Sequence, residues 1–114
     1  MARHGSIPQF ELFVMLAVAH LGDAAYGVAI RREIEDRSGR TVVIGAVYAA
    51  LGRLEDKGWL SHTISDPQPV RGGRSRKYYS LTPSGAAELA DAAGALERML
   101  AGLDVTGLVK GRQG

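Results

Sequence analysis

The chain has no cysteine among its 114 residues, which excludes a disulfide framework and thiolate metal sites and suits a reducing compartment. Long apolar runs are missing as well. The longest, Leu12 to Ala19, is far too short to span a bilayer, and no apolar stretch follows Arg3 and His4 near the start. A cytoplasmic protein without membrane association is the expectation. No strong excess of one charge exists either, since the net charge is only +2, so the whole-chain balance says little about partners. Catalytic constellations do not assemble. His4, His20 and His62 have no carboxylate or cysteine at metal-ligand spacing. Ser6, Ser61 and Ser84 lack the glycine-flanked elbow of a hydrolase nucleophile. Gly72-Gly73 has neither the strand-loop-helix setting nor the Lys-Ser/Thr ending of a phosphate loop. No nucleophile is paired with a base, so no enzyme, metal or cofactor is expected.

What is present is enough apolar residue, 46%, to pack one core, and a chain length that suits one domain with an extra element for association. Charge is distributed unevenly. Arg71, Arg74, Arg76 and Lys77 follow Gln68 with no acid among them, whereas Glu88, Asp91, Glu97 and Asp104 outnumber Arg98 and Lys110 later on. One face is thus suited to a polyanion and another to something else.

Phe10, Phe13, Val14, Ala17 and Leu21 recur at helical spacing behind Pro8, which predicts a helix from Pro8 to about His20. A second runs from about Ala25 to Ser38, with Ile30 and Ile34 inward and Ser38-Gly39 as its stop. Thr41-Val42-Val43 has the composition of a short strand. A third helix spans about Ile44 to Lys57 on Val47, Leu51 and Leu54. The period then changes: Trp59 to Ser65 and Lys77 to Leu81 pair as strands around a turn-rich tip, Asp66 to Gly73. Three helices followed by a basic hairpin predict a mainly α protein with a small β-hairpin, a winged helix-turn-helix over residues 1–81. A last helix over 82–109 opens at Thr82-Pro83. It carries Ala86, Leu89, Ala93, Leu96, Leu100 and Leu103 at alternating three- and four-residue spacing. That heptad stripe fits a dimerisation helix, with Leu89, Ala93, Leu96, Leu100 and Leu103 on the seam. The same stripe also fits a helix that caps its own domain's core. Gly94, Gly102 and Gly107 weaken its far end, and residues 110–114 are expected to be a disordered tail.

Two segments carry the chemistry. The third helix leads with Gly45, Ala46, Tyr48 and Ala49, small residues that let a helix backbone approach DNA, with Tyr48 and Arg53 placed to meet phosphates. Close helix packing would require the same small residues. The hairpin tip offers Arg71, Gly73, Arg74, Arg76 and Lys77, suited to a minor groove. A solvated hairpin that merely protects its edge would look alike. The partners expected are double-stranded operator DNA and a second copy of the chain. With about four phosphates met per protomer, log K falls against log salt with a slope of roughly −7. The alternative function is a winged-helix module that holds a protein partner and no nucleic acid.

The stretches Ile44 to Tyr48, Leu51, Arg53 to Leu60, and Gly72 to Gly85, with Tyr26-Gly27 upstream, resemble the signature of the PadR family of transcriptional regulators. The likeness covers Phe10 to Leu103 and points to the short type with a single C-terminal dimerisation helix. It implies a dimeric repressor on a palindromic operator, released in some members by a small aromatic or drug-like effector. Relatives that stack planar drugs resemble one another in a tryptophan on the dimerisation helix. Here the only tryptophan is Trp59, outside that helix.

Overall fold

A computed structural model describes residues 7–65 and 75–112. The element order is α1 (Gln9–Leu21), a 3-10 turn (Gly22–Ala24), α2 (Gly27–Ser38), α3 (Ile44–Asp56), β1 (Leu60–Ile64), β2 (Lys77–Leu81), α4 (Pro83–Leu100) and α5 (Val105–Arg112). Each of the first three helices buries one stripe. Val14, Met15 and Val18 of α1 meet Ile30 and Ile34 of α2 and Val47, Leu51 and Leu54 of α3, and burying each such side chain contributes about 1.5–3 kcal/mol. Leu60 and Tyr79 close this core from the hairpin, and Leu89 closes it from α4. The strands pair antiparallel with Leu60 opposite Leu81 and Ile64 opposite Lys77. Among the described residues no helix is long and apolar enough to cross a membrane.

The predicted start of α2 moves from Ala25 to Gly27. Gly22–Ala24 form the 3-10 turn, and Ala25, which leaves it, offers its carbonyl to the Tyr79 N–H at 2.8 Å. The hairpin is thereby fastened to the segment before α2. Thr41–Val43 is not a strand. Among the described residues no strand pairs with it; instead the Val42 N–H donates to Glu35 Oε2 at 2.9 Å and the Val42 side chain is buried.

The junction into α4 explains the Thr-Pro-Ser-Gly run. Thr82 caps the helix, its hydroxyl accepting from the Gly85 N–H at 3.0 Å and donating to the Gly58 carbonyl at 2.6 Å. Ser84 donates to the same carbonyl at 3.0 Å. A Cβ at Gly85 would lie 1.9 Å from the Trp59 carbonyl oxygen. Only glycine permits that approach, because the obstacle is backbone.

The last helix is not continuous over 82–109. Gly102, with φ +82°, takes a left-handed turn that an L side chain resists, and α4 ends at Leu100. Leu103 falls in the turn, off the stripe. Asp104 Oδ1 then accepts from the Gly107 N–H at 2.9 Å and starts α5. The helix reaches Arg112, so the tail expected from residue 110 is helical in backbone to that point; residues 113–114 lie outside the described ones.

Candidate nucleic-acid interface

One side of α3 is bare. Gly45, Ala46, Ala49, Gly52 and Arg53 are exposed, and Tyr48 is 50% exposed, whereas Val47, Ala50, Leu51 and Leu54 are buried. A Cβ added to Gly45 or Gly52 would meet nothing within 4 Å. Close helix packing therefore accounts for Ala50 but not for the outer glycines and alanines. Two exposed glycines cost the helix up to about 1 kcal/mol each relative to alanine, with no packing gain in the chain itself. No side chain caps the α3 N-terminus at Val43, where the Ala46 N–H donates to the Val43 carbonyl at 3.0 Å.

Beside this helix lies a cleft of about 400 Å³ between the start of α2 and the base of the hairpin. Tyr26, Tyr48 and Tyr79 form its aromatic wall, and Arg76 and Lys77 supply cations. The Tyr48 ring rests on Gly27, where a Cβ would come within 2.5 Å of the hydroxyl; a side chain there would displace the ring. Tyr79 is buried, and that burial, with the nearby Glu55 charge, raises its pKa above the ordinary value. Its hydroxyl stays protonated. Arg76 stacks on Tyr26, its guanidinium carbon 4.3 Å from the ring centroid. Hydrogen bonding to Tyr78, then the nearby tyrosine oxygens, raises the Arg76 pKa above its ordinary value against a smaller desolvation.

The structure redistributes the predicted site residues. Gly45, Ala46, Tyr48 and Ala49 share one exposed face with Lys77 nearby. Arg53 is on that helix but committed elsewhere: its Nε donates to Glu11 Oε2 at 2.7 Å, while Lys57 Nζ reaches Oε1 at 3.1 Å. Glu11 is almost fully buried. Arg53 thus has a partner within the chain, and it matters, since a buried carboxylate without its cation is costly. Arg71, Gly73 and Arg74 lie outside the described residues. Leu89, expected on the dimer seam, is 8% exposed and belongs to the protomer's own core. Leu96 and Leu100 are 51% and 44% exposed, and Ala93 is half-buried. Trp59 sits under Lys57, whose Nζ is 4.9 Å from the ring centroid, and its backbone, itself outside α4, meets the start of that helix at Gly85. Residue types alone did not single out Tyr26 as part of the site; its signal was the Tyr-Gly pair at the start of α2.

The matching family model is that of the transcriptional regulator PadR-like family, over residues 15–91. The chain belongs to the PadR-like family. It is a transcriptional regulator of that family and not an enzyme. A PadR-like transcription factor from Bacteroides fragilis is similar at 27% identity and a TM-score of 0.65, with 80% of this chain and 82% of that one covered. A PadR family regulator from Eggerthella lenta is similar at 25% identity and a TM-score of 0.65, over 89% and 86%. Bacillus subtilis PadR, solved in complex with operator DNA, shares the fold at 21% identity and a TM-score of 0.59, over 74% of this chain and 46% of that one. No curated protein matches.

Proposed function

We propose that the chain represses transcription as a homodimer that lays α3 into successive major grooves of a two-fold symmetric operator. The observation that carries this is the bare outer face of α3, small where no intramolecular packing requires it. On such a face the backbone approaches the bases, and few side chains remain for bidentate contacts to base edges. Discrimination then rests on alanine contacts with thymine methyls and on DNA shape. Tyr48 and Lys77 meet phosphates from the cleft, and Arg71 and Arg74 continue the contact along the wing. The second copy joins through Ala93, Leu96 and Leu100 of α4. That Bacillus subtilis PadR, which shares the fold, was solved in complex with operator DNA supports operator DNA as the partner.

Fluorescence anisotropy on duplexes tiled across the DNA upstream of the chain's own gene tests this. One segment is expected to bind at least ~10³ tighter than random duplex. Equal weak binding everywhere, or none, overturns the proposal and favours a protein partner. The operator so obtained is the probe with which small aromatic compounds are screened for release.

A further inference from the structure

The wing and the recognition helix must present themselves to DNA at a fixed angle, yet a two-stranded hairpin is not rigid on its own. Three contacts anchor its base. The Tyr79 N–H donates to the Ala25 carbonyl at 2.8 Å. The Ser65 N–H donates to the Arg76 carbonyl at 2.9 Å, and the Arg76 N–H returns to Ser65 Oγ at 3.0 Å. The third is aromatic: Tyr26, the residue before α2, meets Tyr78 edge-on with centroids 5.7 Å apart. Arg76 lies over the same Tyr26 ring. Tyr26 is thus gripped from the hairpin by two residues on its return side.

We propose that Arg76 is a positioning residue: its planar guanidinium, stacked on Tyr26, sets the angle of the wing relative to α2 and α3. This rests on the DNA-binding function proposed above. Arginine's planar fork serves either a ring stack or a two-point phosphate contact, so the stack is recognised by its coupling to Tyr26, which carries no charge. Lysine in place of Arg76 keeps the charge and loses the plane, and its non-additivity with a change at Tyr26 separates the stack from a phosphate contact.

Operator affinity and its salt dependence are measured for the wild type, Arg76→Lys, Tyr26→Leu, Tyr26→Phe and the Arg76→Lys/Tyr26→Leu double variant. Arg76→Lys and Tyr26→Leu are each expected to weaken binding about three- to tenfold. The double variant binds no more weakly than the weaker single, because both remove one contact. The salt slope is unchanged throughout, since no charge is lost, and Tyr26→Phe binds as the wild type does. Wild-type affinity in both Arg76→Lys and Tyr26→Leu overturns the proposal, as does full additivity in the double variant. Should Tyr26→Leu fail to fold, hydrogen exchange at the Tyr79 amide of Arg76→Lys, free of DNA, decides the matter: faster exchange supports the stack and unchanged exchange overturns it. A wild type that retains no duplex refutes the DNA-binding function instead. The stack is then judged in the free protein by hydrogen exchange at the Tyr79 amide, which quickens in Arg76→Lys if the stack holds the wing and is unchanged if it does not.

Discussion

Glu11 is charged and 5% exposed, an arrangement that folding tolerates only with cations beside it. Burial by itself would raise its pKa, but the hydrogen bonds and charges of Arg53 and Lys57 outweigh that and hold the carboxyl below its ordinary 4.5. A carboxylate with a depressed folded pKa stabilises the fold fully above its unfolded value, and the contribution is lost as pH falls through the folded one. Urea midpoints followed downward from neutral pH are therefore expected to drop below pH 4.5 more steeply in the wild type than in Glu11→Gln. At neutral pH that variant is destabilised by about 1–2 kcal/mol, the value for a buried pair discounted for half-exposed cations. Parallel pH curves would refute the pairing. This network was not legible in the sequence. Arg53 stands on the outer face of α3 and reads there as a phosphate contact, whereas its partner lies 42 positions away. Helical spacing shows which way a side chain points, not which distant charge waits for it.

At the scale of elements, apolar periodicity recovered α1, α2, α3 and the hairpin with its partners, because each buries a single stripe or face on one core. Backbone chemistry decided the rest. Thr41–Val43 has strand composition but no partner strand among the described residues, and Glu35 takes the Val42 amide instead. Gly102 marked a weak point in the sequence, and in the structure it is a full left-handed turn that divides the apolar stripe between α4 and α5. What remains exposed on the two helices is nonetheless substantial: Leu96, Met99 and Leu100, then Val105, Leu108 and Val109. Changing Leu96 and Leu100 to glutamate is expected to halve the apparent mass on a sizing column. Operator binding should weaken ~10²-fold as two-point attachment is lost. Unchanged elution would show that α4 joins no second copy.

As a whole the molecule is elongated, with extents of 59 × 39 × 20 Å and a radius of gyration of 16.8 Å, against about 13 Å for a compact domain of this length. The proposed interface for DNA is at the α3 and hairpin side, and the exposed apolar stripe is on α4 and α5. A two-fold partner on the stripe leaves both DNA faces free. Its electrostatics differ from those read off the sequence. Arg53 is held by Glu11 and Arg76 lies on Tyr26, so in the proposed function Arg71, Arg74 and Lys77 are the cations offered to phosphates in each protomer. The log K against log salt slope is accordingly expected near −5 rather than the −7 read from the sequence. A slope near zero on a retained duplex would remove phosphates from the account. The closed base of the hairpin bears on how such chains diversify. Ser65 and Arg76 are joined by two hydrogen bonds, so the strand between Leu60 and Ile64 and its return keep their register whatever length of chain is strung between those two residues. Lengthening that span costs only about 0.6 kcal/mol per doubling. The wing is thus the part of this regulator that insertion and deletion can retune for a new operator while the three-helix core stays as it is.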